Sequence, residues 1–171
     1  RNGGDGDIGW NTTQLMTVGW DFSYDDGIRD RNTGIWKSVS VFTTGPVSLR
    51  NPFIKSSLSS PGFDVASETV SVELVNPASG FRNNEPVDCL LRGEIEGTGI
   101  QFEKNVRLIR GEEATVSFTP EEFPQLIIRN PCLWWPKYKG EQNLYKMKLS
   151  VLVDGKVSDI KEVTFGIRDV Q

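Results

Sequence analysis

With 171 residues, 37% of them hydrophobic, the chain has room for one full domain plus a fragment. Such a length buries roughly 70% of its unfolded surface without metal or disulfide staples, which excludes disorder, collagen and coiled coil. The 19 basic and 23 acidic residues give a net charge of −4 with no single-sign block, so no field gathers phosphate backbones and nucleic acid is excluded as a partner.

Period-two alternation dominates, and amphipathic 3.6-residue stretches are nearly absent. After a glycine-rich opening over 1–9, residues 35–42 alternate as a strand closed by Thr44-Gly45-Pro46, which sets a domain boundary near Gly45. A strand over 47–58 carries Pro52 and is therefore kinked or at a sheet edge. Residues 69–75 place Val70, Val72 and Leu74 on one face, and 87–95 do the same with Val87, Cys89, Leu91 and Ile95. Strands over 102–109 and 114–118 follow, separated by Arg110-Gly111. A loop with one helical turn comes next, with Thr119 as cap, Pro120 at its first position, Glu121 and Glu122 favoured by the dipole and Pro124 as terminator. Residues 144–153 and 157–167 form a closing hairpin across Asp154-Gly155, a pair that suits a type I′ turn.

About seven antiparallel strands with turns at short intervals make the fold class all-β, an immunoglobulin-like seven-stranded antiparallel β-sandwich. Tyr145, just inside the sixth strand, serves either as the tyrosine corner of such sandwiches or as an ordinary core tyrosine. Cys89 falls in the third strand and Cys132 in a loop, and spacing alone does not decide whether they pair. No run approaches the roughly eighteen apolar residues of a membrane span, and no charged-then-apolar signal peptide opens the chain at Arg1, so a cut or processed chain is expected.

The chain has no histidine, which removes Ser-His-Asp and Cys-His nucleophile arrangements and every His-containing zinc site, and two cysteines cannot make a four-cysteine site. Carboxylate chemistry, binding through aromatics and hydroxyls, or scaffolding is left. Asn84-Glu85-Pro86 matches the acid/base run of retaining glycosidases built on (β/α)₈ barrels, but here it opens a strand in a chain that never alternates strand with helix, and it reads as a turn. Asp5-Gly6-Asp7 and Asp25-Asp26-Gly27 lack the closing glutamate of a calcium loop and read as solvated turns. No catalytic residue, metal ligand or cofactor is assigned. Of five tryptophans, Trp36 reads as core on its alternating strand. Trp134 and Trp135, adjacent between Pro131 and Pro136, point to opposite sides if extended, so at most one enters the local core and the other meets solvent, a sugar or a neighbouring domain.

Three stretches together resemble glycoside hydrolase family 2. Asp30-Arg31-Asn32-Thr33-Gly34-Ile35-Trp36, with Thr44-Gly45-Pro46, is similar to the end of that family's N-terminal jelly roll. Asn130-Pro131, Leu133-Trp134-Trp135-Pro136, Gly140-Glu141-Gln142 and Leu144-Tyr145 resemble the segment leading into the late strands of its immunoglobulin-like domain, and Phe165-Gly166-Ile167-Arg168 resembles the exit toward the catalytic barrel. With Gly19-Trp20-Asp21 ahead of them, they look closest to the β-mannosidase, exo-β-glucosaminidase and endo-β-mannosidase branch.

The resemblance implies domains over 1–45, a C-terminal remnant of the jelly-roll sugar-binding domain, and over 46–171, the sandwich. It implies that Trp20 and Asp21 help bind the non-reducing sugar, the alternative being that Trp20 merely packs and Asp21 caps a turn. Both catalytic glutamates of the family lie in a barrel after the position of Gln171, so this segment is expected to be non-catalytic: a spacer and clamp between jelly roll and (β/α)₈ barrel, with Trp134, Trp135, Phe165 and Arg168 at the domain interface. The implied parent is a retaining β-glycosidase for mannoside- or glucosaminide-type carbohydrate, periplasmic or secreted by family resemblance. Residues 1–44 are expected to lie irregularly over the sandwich or to pair with another copy. The rivals are a free-standing carbohydrate-binding module with a tryptophan platform, and a fibronectin-like adhesion domain.

Overall fold

The structure, a computed structural model, describes residues 35, 37–77 and 86–169. The chain divides into two units, Arg1–Phe42 and Thr43–Gln171. Among the described residues every strand lies in the second. Residues 35 and 37–42 form no strand, contrary to their alternating pattern, and Ile35, Val39, Val41 and Phe42 are exposed. Alternation makes a strand only where a partner completes its backbone hydrogen bonds.

Eight strands follow: β1 (Ser48–Leu58), β2 (Val65–Val75), β3 (Val87–Ile95), β4 (Ile100–Leu108), β5 (Glu113–Phe118), β6 (Ile127–Arg129), β7 (Tyr145–Val153) and β8 (Lys156–Phe165). One sheet runs β1-β2-β5 with β6 also on β2, the other β4-β3-β7-β8, and all pairings are antiparallel. This is the expected sandwich with the three-residue β6 added, too short to show a period. Pro52 sits where expected: β1 is an edge strand whose register shifts between Arg50 and Phe53, with Asn51 at φ 47°. Asp154 and Gly155 both have positive φ, 51° and 70°, which is what a type I′ turn requires.

The helical turn forms as the Phe123 N–H donates to the Thr119 carbonyl at 2.9 Å. That turn stops before Pro124, as expected, and Pro124 in addition opens a 3-10 turn, Pro124–Leu126, because its missing N–H costs nothing at a first helical position. That turn drives Leu126 into the core.

The core lies between the sheets. Leu49, Val70, Leu74, Leu91, Phe118 and Leu149 are nearly or fully buried, each stabilising the fold by about 1.5–3 kcal/mol. Phe102 and Phe118 meet at 4.6 Å between ring centroids and Phe118 and Phe123 at 5.1 Å, tilted or edge-on as the ring quadrupoles prefer. The sheets are joined at their margin by a bulge in β8. Val151 pairs with Asp159 and Leu152 with Val157, which turns the skipped Ser158 inward. Its Oγ accepts from the Val47 N–H at 2.9 Å and donates to the Val47 carbonyl at 2.6 Å, while Asp159 Oδ2 accepts from the Leu49 N–H at 2.8 Å. The cysteines do not pair: Cys89 is buried and Cys132 exposed.

Candidate functional site

The segment between β6 and β7 has no regular structure of its own and is held by its backbone. Leu133 makes a parallel bridge to Ile167, the Trp134 N–H donates to the Ile167 carbonyl at 2.9 Å, and Trp134 bridges Gln142. The Trp135 N–H donates to the Glu141 carbonyl at 2.9 Å, and Asn143 Nδ2 donates to the Leu133 carbonyl at 3.0 Å. Tyr145 anchors the start of the segment. Its hydroxyl accepts the Cys132 N–H at 2.9 Å, and its ring stacks on Phe165 at 5.6 Å. The hydroxyl bonds backbone upstream in the chain, as a tyrosine corner does, and the ring packs against the core, as an ordinary core tyrosine does. Burial pushes the Tyr145 phenol up from its ordinary value, so it stays protonated.

Two glycines let the indoles lie close. A Cβ on Gly166 would stand 2.7 Å from the Trp134 Cβ, and one on Gly140 would stand 2.6 Å from the Trp135 Cδ1. Both indoles therefore line one cleft of about 230 Å³, together with Leu58, Phe63, Pro136 and Arg168, with Leu133, Ile167 and Asp169 completing its wall. The two indoles rest on different glycines, Trp134 against Gly166 and Trp135 against Gly140. Trp134 is half-buried and Trp135 is 40% exposed. The Arg168 guanidinium lies 4.9 Å from the Trp134 ring centroid, and Asp169 Oδ2 accepts the Leu58 N–H at 3.4 Å.

Of the expected interface residues, the structure brings Trp134, Trp135 and Arg168 together in the cleft, and sets Phe165 behind them on Tyr145. Trp20 and Asp21 lie outside the described residues, as do Trp36, Glu85 and the two aspartate-glycine runs. Leu58 and Phe63 were missed. Leu58 ends a strand whose periodicity gives no hint of a cleft, and Phe63 follows the turn Pro61-Gly62 with φ 54°, a local sequence that gives no sign of one either. Among the lining residues Asp169 is the one carboxylate, and it is already engaged. The arrangement is apolar with one cation at its rim, which suits binding of an apolar surface rather than proton transfer.

The sequence model described as Glycosyl hydrolases family 2 matches residues 47–168. The exo-beta-D-glucosaminidase of Streptomyces avermitilis is 34% identical over 161 residues, 94% of this chain and 17% of that protein. The mannosylglycoprotein endo-beta-mannosidase of Lilium longiflorum is 33% identical over 175 aligned positions, 99% of this chain and 17% of that protein. Among solved structures, the exo-chitosanase CsxA of Amycolatopsis orientalis superposes with a TM-score of 0.62 at 28% identity, over 75% of this chain and 14% of that one. The chain thus spans about one sixth (17%) of the length of the curated relatives it matches.

Proposed function

Since the chain belongs to glycosyl hydrolases family 2, we propose that it is the non-catalytic β-sandwich segment of a longer retaining β-glycosidase acting on mannoside- or glucosaminide-type carbohydrate. In this reading residues 1–45 are the end of a jelly-roll sugar-binding domain and 46–171 the sandwich that spaces it from a catalytic (β/α)₈ barrel. The observation that carries it is the apolar cleft at the point where the chain leaves β8. Residues 167–169, the last described before the chain continues, form one wall of it, so a following domain would start at its rim. A domain seated there would cover Trp135 and Phe63, and an acidic group on it would meet Arg168. Trp20 and Asp21 are proposed to help bind the non-reducing sugar, the carboxylate accepting hydroxyl hydrogen bonds and the indole walling the ring.

The names of both curated relatives and of the solved chitosanase support this substrate class. The test is complementation: the chain and the remainder of its parent, expressed separately, are mixed and tryptophan emission is followed. Docking predicts a blue shift that Trp135→Ala removes. If oligosaccharides of mannose or glucosamine shift the emission of the isolated chain instead, the carbohydrate-binding module is the better reading.

A further inference from the structure

The inward row of β2 reads Ala66, Glu68, Val70, Val72, Leu74, so a carboxylic acid stands where alternation calls for an apolar side chain. Glu68 is fully buried. Its Oε2 accepts a hydrogen bond from the Ser56 hydroxyl of β1 at 2.7 Å, and its Oε1 meets no donor. An ionised carboxylate with an unpartnered oxygen in an apolar core is costly, whereas the protonated acid keeps the Ser56 bond and carries no charge. The groups bearing on it are Ser56 from β1 and the Tyr145 phenol from β7, with the Cys132 thiol beyond that phenol. Burial raises its proton affinity and the Ser56 bond opposes that rise.

The location gives this acid a consequence. Glu68 sits where β2 leaves its ladder with β6 at Ser67 and has not yet joined β5, which begins pairing at Val70, so the sheet is interrupted beside it. Both of its neighbours lead to the cleft. Ser56 runs on to Leu58, which lines the cleft and donates to Asp169; Tyr145 holds the Cys132 N–H just ahead of Trp134.

We propose that Glu68 is a proton-operated latch: protonated, it lets the two sheets close at the end carrying Leu58, Cys132 and Trp134, and ionised, it draws water between them and loosens the segments that present the indoles. The step exchanges one proton with solvent and changes no other bond. It does not depend on what the cleft docks.

Hydrogen exchange on the 171-residue chain tests it. The amides of Leu58, Cys132 and Trp134, corrected for intrinsic rates and referenced to the Leu91 amide in β3, should exchange about tenfold faster at pH 8 than at pH 6, and Glu68→Gln should flatten that rise. If Glu68→Gln does not fold, carboxyl ¹³C resonances of the unaltered chain decide, with Glu68 expected to titrate near neutrality rather than at the ordinary 4.5. Exchange that follows Leu91 at every pH, an equal rise in Glu68→Gln, or a carboxyl already ionised by pH 5 overturns the proposal.

Discussion

The guanidinium of Arg168 lies 4.9 Å from the ring centroid of Trp134, pinning the exit of the last strand to the segment between β6 and β7. A cation over an indole at an exposed site stabilises by about 0.5–1 kcal/mol. Arg168→Ala should lower the urea unfolding free energy by that amount and red-shift tryptophan emission, while Arg168→Lys should retain part of both. An unchanged spectrum in Arg168→Ala would show that the contact does not hold the ring.

Gly166 is the second clamp on the same indole. A methyl group there would meet the Trp134 Cβ at 2.7 Å, so Gly166→Ala must push the ring out of place. The expected cost is about 1–3 kcal/mol, typical of overpacking. Circular dichroism in the aromatic region should change while the far-ultraviolet spectrum stays that of a β-sandwich.

Tyr145 joins core to cleft through its hydroxyl, which accepts the Cys132 N–H at 2.9 Å. Tyr145→Phe keeps the stacking on Phe165 and removes only this bond, so a loss of about 0.5–1.5 kcal/mol is expected, with faster exchange of the Cys132 amide. A larger loss would mean that the phenol holds more of the segment than this one amide.

Burial, opposed by the Ser56 hydrogen bond, pushes Glu68 up from 4.5 to about 7. The folded value lies above the unfolded one, so its contribution is fully present below pH 4.5 and is lost as pH rises through 7, about 3 kcal/mol in all. The stability difference between Glu68→Gln and the unaltered chain should therefore shift in favour of the glutamine from pH 5 to pH 9 in paired urea titrations, in which the other carboxylates cancel. A difference constant with pH would contradict this assignment.

The sandwich was legible in the sequence because its signals are local. Val70, Val72 and Leu74 alternate on β2, Asp154-Gly155 supplies the positive φ angles of the hairpin, and Pro52 announces the edge bulge. The β6 strand escaped because three residues have no period, and the 3-10 turn at Pro124–Leu126 escaped because proline both opens and ends helices. The pattern over 35–42 has the form of a strand, but its described residues, 35 and 37–42, form none, since pairing depends on a partner and not on alternation. The cleft was half legible. The tryptophan pair stood out by composition, but its convergence on Leu58, Phe63 and Arg168 depends on bridges between segments far apart in the chain. Glu68 passed unnoticed because the alternation was read from residue 69 onward, whereas β2 begins at Val65 and so takes Glu68 into its inward row.

The most direct measurement is hydrolysis by the purified chain alone. Incubated with aryl β-mannoside and aryl β-glucosaminide, it should release no phenol above background at any concentration, and gain no activity after Glu68→Gln or Trp135→Ala. Release that rises in proportion to the concentration of this chain would contradict the claim that it is the scaffold, and not the catalyst, of a sugar-cleaving enzyme.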